Sequence, residues 1–84
     1  MTDAQILAGV LDTLAAIAPE VPGETLATDQ PLRSQVDLDS MDWLNFLVGL
    51  HQRFGVDIPE ADYARLTDLQ TIVGYLARRG AAAS

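Results

Sequence analysis

The residue best placed to do chemistry is Ser40, because Asp39 before it can cap a helix and leave the serine in the first turn with its hydroxyl exposed. Free backbone N–H groups and the positive end of the helix dipole meet there, so a phosphodiester on the serine oxygen would be favourably held. A lone Asp-Ser pair, however, is by itself more often an ordinary helix cap than a site. Nucleophilic catalysis would need a base beside Ser40. The sole histidine, His51, lies eleven residues farther along the same helix, about 16 Å away at the usual rise, so no catalytic pair forms and His51 is expected at the surface. Asp37, Asp39 and Asp42 could attract a divalent cation, but the calcium-loop pattern with its glycine and distant glutamate is absent, and no metal site is expected. The chain has no cysteine, which excludes disulfides, thiolate catalysis and Cys/His zinc sites; any thiol it uses must be imported.

The elements that position these residues are helical. Thr2-Asp3-Ala4-Gln5 has the form of a capping box, and Ile6, Leu7, Val10, Leu11, Leu14 and Ile17 then recur at helical spacing, predicting a first helix over 3–18 that stops before Pro19. From Pro19 to Pro31 prolines, Gly23 and polar residues predict a long ordered loop pinned by Leu26 and Leu32. The central helix, over 40–54, ends before Gly55 and carries two apolar stripes. Trp43, Phe46, Leu47, Leu50 and Phe54 are assigned to the core, whereas Met41, Leu44 and Val48 form a surplus stripe read as a partner surface. Pro59, Glu60 and Asp62 suit the opening of a short helix over 59–64, with Tyr63 and Leu66 pointing inward. Thr67-Asp68-Leu69-Gln70 reads as a second capping box for a last helix over 68–79, apolar at Leu69, Ile72, Val73 and Leu76, and Ala81 to Ser84 as a frayed tail. No segment alternates with period two, so an all-α bundle of three longer helices and one short helix is expected.

Eighty-four residues suffice for one small domain, expected over 1–84, and 49% apolar content lets it bury a core. Twelve acidic residues against five arginines give a net charge of −7, which repels nucleic-acid phosphates and anionic membrane surfaces. The acidic start and the lack of any apolar run near the roughly 18 residues of a membrane span lead to the expectation of a cytoplasmic protein without stable membrane insertion. Charge and size favour a monomer.

Val36-Asp37-Leu38-Asp39-Ser40-Met41, the hydrophobic spacing of the central helix, its Phe54-Gly55 ending, Ile58-Pro59 with the following acids, and the Leu66-Thr67 entry to the last helix together resemble the acyl carrier protein family, without gaps from Leu32 to Leu76. The resemblance implies a four-helix bundle with a long loop between helices one and two. It further implies that a phosphopantetheinyl transferase moves the 4'-phosphopantetheine arm of coenzyme A onto Ser40, and that an acyl group then rides on the arm as a thioester, shielded between the second and third helices. Such a protein is a carrier and not an enzyme, and acyl-transferring or acyl-modifying enzymes would dock on it through basic patches. By the family's pattern the docking surface comprises Asp37, Asp39, Met41, Asp42, Leu44 and Val48, with Glu60 and Asp62 alongside.

Two departures from the family's pattern bear on its partners. Asp37 stands where a glycine is usual, and Asn45, His51, Gln52 and Arg53 replace the usual acids of the central helix. A specialised carrier, serving a dedicated lipid or secondary-metabolite pathway, is therefore expected. The alternatives are an aminoacyl or peptidyl carrier, whose relatives more often have Gly-Gly-x-Ser at this place, and a helical adaptor subunit of the same fold without a working arm.

Overall fold

Local capping sets where each long helix begins. In the computed structural model, which describes residues 2–21 and 23–80 except for the Glu24 side chain, helix α1 spans Asp3–Ile17. The Thr2 hydroxyl accepts from the Gln5 N–H (3.2 Å) and the Gln5 side chain accepts from the Thr2 N–H (2.8 Å), the expected reciprocal box. Helix α2 is a single turn, Leu32–Gln35, just past the predicted Pro19–Pro31 loop and with no helix expected there; α3 spans Ser40–Phe54 and α4 Leu69–Arg78. Short 3-10 turns occupy Gly23–Thr25 and Glu60–Arg65. Among the described residues there is no strand, and the only sheet-like pairing is one bridge between Pro31 and Asp68. None of their helices is long and apolar enough to cross a membrane. The expected tail, Ala81 to Ser84, lies outside the described residues.

The last helix starts one residue later than its sequence cue. Asp68, not Thr67, is the cap, accepting from the Thr71 N–H at 2.7 Å. The cause is tertiary: the Thr67 carbonyl accepts from the Leu32 N–H (2.8 Å), next to the bridge that pairs Asp68 with Pro31. Gln70 likewise donates its N–H to the Thr28 carbonyl (2.9 Å), so the long connection is tied to the start of α4. Within that connection the Gln35 amide accepts from the Ala27 N–H (2.7 Å) and donates to the carbonyls of Ala27 and Gln30 (both 3.0 Å), satisfying backbone that has no helix or sheet to join. The segment after Pro59 is a 3-10 turn over Glu60–Arg65; at six residues it gains little from α-helical hydrogen bonds.

The core is made by the predicted stripes. Ile6, Val10 and Leu14 of α1, Phe46, Leu47 and Leu50 of α3, and Leu69, Ile72 and Leu76 of α4 are each at most 2% exposed, and α1 packs on both α3 and α4. Leu32 and Leu66 fill the space under the connections. Helices α1 and α3 approach closely at glycines: a Cβ on Gly9 would sit 2.7 Å from the Phe54 ring, and one on Gly49 would sit 2.8 Å from Thr13 Cγ2. Arg53 and Asp12 pair across the same crossing at 3.2 Å. Helix α3 then ends on Gly55, whose φ of 65° is the left-handed conformation that glycine adopts without a Cβ clash.

Candidate functional site

Ser40 is the first residue of α3 and is exposed. Asp39 caps the helix, its carboxylate accepting from the Asp42 N–H (2.8 Å) and its carbonyl from the Trp43 N–H (2.9 Å). The N–H groups of Ser40 and Met41 come too early in the helix for any carbonyl one turn back, so the serine hydroxyl stands beside open donors at the positive end of a 15-residue helix. A phosphate ester on that oxygen would gain from both.

The surplus stripe is on the outside. Met41, Leu44 and Val48 are 63%, 40% and 41% exposed, whereas the neighbouring Phe46, Leu47 and Leu50 are buried. Asp37, Asp39 and Glu60 are also exposed, and Asp42 is half-buried. The exposed face farther along α3 carries Asn45, His51, Gln52 and Arg53. His51 Nδ1 lies 2.8 Å from the Val56 carbonyl, which ties the side chain to the turn after α3 and away from Ser40.

Asp62 is placed differently from the other acids. Its carboxylate is turned inward, with its side chain 17% exposed: Oδ2 accepts from the Tyr75 hydroxyl (2.7 Å) and from Arg79 (3.1 Å), and Oδ1 accepts from Arg65 (3.3 Å). The Arg79 guanidinium also stacks over the Tyr75 ring, 4.7 Å from its centroid. Burial, reinforced by the bond to Asp62, raises the Tyr75 phenol above its ordinary pKa, against the pull of Arg79. This cluster fastens the Glu60–Arg65 turn to α4.

An open cleft of about 450 Å³ lies beside Ser40, walled by Arg33, Trp43, Leu44, Leu47, Glu60 and Tyr63. Sequence reasoning assigned Trp43 to the core. Its ring packs on Phe46 at 5.3 Å between centroids but is only half-buried, and its outer side faces this cleft under the Arg33 guanidinium, 6.0 Å from the ring centroid. Arg33 had no sequence signal, because its placement depends on α2. Tyr63, expected to point inward, is half-buried at the cleft wall. Among the described residues no three His, Asp or Glu side chains gather where a metal ion could be held.

Comparison with known proteins agrees with this geometry. The family model for the phosphopantetheine attachment site matches residues 5–76. An acyl carrier protein of Thermobifida fusca is 33% identical over 70 residues, which cover 80% of this chain and 89% of that protein. One from Streptomyces coelicolor is 28% identical over 78 residues, 93% of this chain and 85% of the relative. The meromycolate extension acyl carrier protein of Mycobacterium tuberculosis is 25% identical over 76 residues, 90% of this chain and 65% of the longer relative. Since the matched span runs from α1 into α4 and takes in the whole of α3, the chain belongs to the phosphopantetheine attachment-site family, whose covalent prosthetic group is 4'-phosphopantetheine.

Proposed function

We propose that this chain is an acyl carrier protein, not itself an enzyme, whose 4'-phosphopantetheine arm is esterified to Ser40. The observation that carries the reading is the exposed Ser40 hydroxyl as the first residue of α3, beside an open cleft. The residues present fit the group: Ser40 supplies the oxygen, the N–H groups of Ser40 and Met41 are free to face a phosphate, and the Asp39 carboxylate is already engaged with the Asp42 N–H. Once attached, the group supplies a terminal thiol, which the cysteine-free chain lacks, to hold an acyl cargo as a thioester.

The rest of the chain orients and docks. Met41, Leu44 and Val48 form an apolar strip beside Asp37, Asp39, Asp42 and Glu60, and a phosphopantetheinyl transferase or acyl-handling enzyme with a basic patch would meet both in one contact. Asp62 contributes from behind, by fixing the turn that carries Glu60. Weak, salt-sensitive docking suits a carrier that must visit several enzymes, because the tether itself keeps the cargo at high effective concentration. The protein works as a cytoplasmic monomer. Arg53 and His51, in place of acids on the exposed face of α3, support partners other than those of a general fatty-acid cycle, and hence a specialised pathway.

Incubation of the apo protein with coenzyme A and a broad-specificity transferase, followed by intact mass measurement, tests the attachment. Gain of one phosphopantetheinyl unit, lost in Ser40→Ala, is the expected result. No gain in a folded protein would favour the adaptor reading.

A further inference from the structure

Among the charged side chains around Ser40, one is of opposite sign to the rest. Asp37, Asp39, Asp42 and Glu60 make that end of α3 acidic, yet the cleft beside Ser40 is also walled by Arg33. Arg53 is tied to the Asp12 carboxylate, and Arg65 and Arg79 to that of Asp62, whereas among the described residues Arg33 has no such partner. Its guanidinium instead donates to the Leu38 carbonyl (3.4 Å from Nη2) and lies over the Trp43 ring, 6.0 Å from the centroid. Leu38 comes two residues before Ser40, and Trp43 comes three after it on the same side of α3, so these two contacts set the cation across the start of the helix. The backbone that carries Arg33 is fixed as well: Leu32 is buried and donates to the Thr67 carbonyl, and the Gln35 amide bonds to Ala27 and Gln30. The Arg33 side chain is exposed, and the bond to Leu38 engages one N–H of a planar fork whose other donors suit a phosphate.

We propose that Arg33 is a binding residue for the phosphodiester of the arm, an inference that rests on Ser40 as the attachment point. The carboxylates around Ser40 repel the negative charge that a diester brings to its oxygen. The open N–H groups of Ser40 and Met41 offset part of that repulsion, and Arg33 supplies a full positive charge. The Leu38 carbonyl and the Trp43 ring already hold the guanidinium, so ordering it on a phosphate costs little further rotamer freedom. With the diester balanced by a cation of the same chain, Asp37, Asp39 and Asp42 stay available to the basic patch of a partner.

The test is a stability cycle over four proteins, the apo and holo forms of the wild type and of Arg33→Ala, with the holo forms made from coenzyme A by a broad-specificity transferase and verified by intact mass. Each difference is taken between two forms of one chain, so any packing that Arg33 gives to Trp43 or Leu38 cancels. At low salt the wild type should gain more urea resistance on conversion to holo than Arg33→Ala does, with an excess in midpoint of about 0.2–1 M for an exposed pair. Arg33→Lys, which keeps the charge, should retain part of the excess, and Arg33→Gln none of it. In about 1 M salt, where charges are screened within roughly 3 Å, the excess should vanish. The Arg33 Nε–H resonance of the wild type, followed by NMR, should shift between the apo and holo forms. Equal gains in the wild type and Arg33→Ala, or an excess unchanged by salt, would overturn the proposal. An Nε–H resonance that does not move on conversion would overturn it even where Arg33→Ala fails to fold. Failure of the wild type to load would instead overturn the attachment at Ser40, and this inference with it.

Discussion

Asp62→Ala separates an internal role for this acid from a role on the docking face. The carboxylate is 17% exposed and accepts from three donors, of which Arg65 and Arg79 have side chains 67% and 44% exposed. Solvent screening at that exposure leaves each ion pair only about 0.2–1 kcal/mol. The larger contribution is the 2.7 Å bond from Tyr75, a residue 4% exposed overall, since a hydrogen bond to a charged acceptor contributes about 1.5–3 kcal/mol and its loss leaves a hydroxyl without its partner. The substitution should therefore cost about 2–4 kcal/mol, a large share of the 5–15 kcal/mol typical of a domain. With a urea slope near the low end, about 1 kcal/mol per molar for so small a chain, the unfolding midpoint should fall by roughly 2 M or more. Asp62→Asn keeps an acceptor for Tyr75 and should lose about half as much, whereas Glu60→Ala, at an exposed position, should stay within about 0.5 kcal/mol. Urea titrations followed by circular dichroism and by Trp43 fluorescence provide the comparison. A midpoint for Asp62→Ala equal to that of Glu60→Ala, with equal weakening of transferase docking, would refute the reasoning and move Asp62 to the docking face.

Two further outcomes follow from the same packing. Because burial and the bond to Asp62 raise the Tyr75 phenol above 10.0, the folded chain keeps this proton to higher pH than the unfolded chain does. The stability it contributes is complete below about pH 10 and is lost as pH rises through the folded value, so Tyr75→Phe should show a shallower alkaline decline in melting temperature; identical slopes would contradict this. Gly49→Ala and Gly74→Ala should move stability in opposite directions. At Gly49 the new methyl meets Thr13 Cγ2 at 2.8 Å, and Thr13 is itself held by its 2.8 Å bond to the Gly9 carbonyl, so an overpacking cost of about 1–3 kcal/mol exceeds a helix-propensity gain of about 1 kcal/mol. At Gly74 nothing lies within 4 Å, and about 0.5–1 kcal/mol should be gained. Thermal melts that rose for both would mean that α1 and α3 are not in tight contact.

What could be read from the sequence was local. Thr2 with Gln5 and Asp39 with Asp42 act over three residues, so their caps are visible in the residue types alone. The two stripes of α3 follow from helical periodicity, and apart from the half-buried Trp43 the exposed and buried sets divide as the spacing predicts. The differences arise where distant segments meet. Thr67 yields the α4 cap to Asp68 because Leu32 claims its carbonyl, and the Leu32–Gln35 turn forms just beyond the Pro19–Pro31 stretch, where the sequence predicts no helix. Asp62 resembles a surface acid until Tyr75 and Arg79, 13 and 17 residues onward, converge on it. The spacing of Tyr75, three residues after Ile72, did carry a signal for its burial, and Trp43 fell in the core register while its outer edge meets the cleft beside Ser40.

The carrier assignment is tested most directly on protein isolated from its own cells, by mass spectrometry of the tryptic peptide over 34–53, which contains Ser34 and Ser40. The expected result is one phosphopantetheinyl group on Ser40, with a fraction of it bearing an acyl group. An unmodified Ser40 in every preparation, or the group found on Ser34 instead, would contradict it.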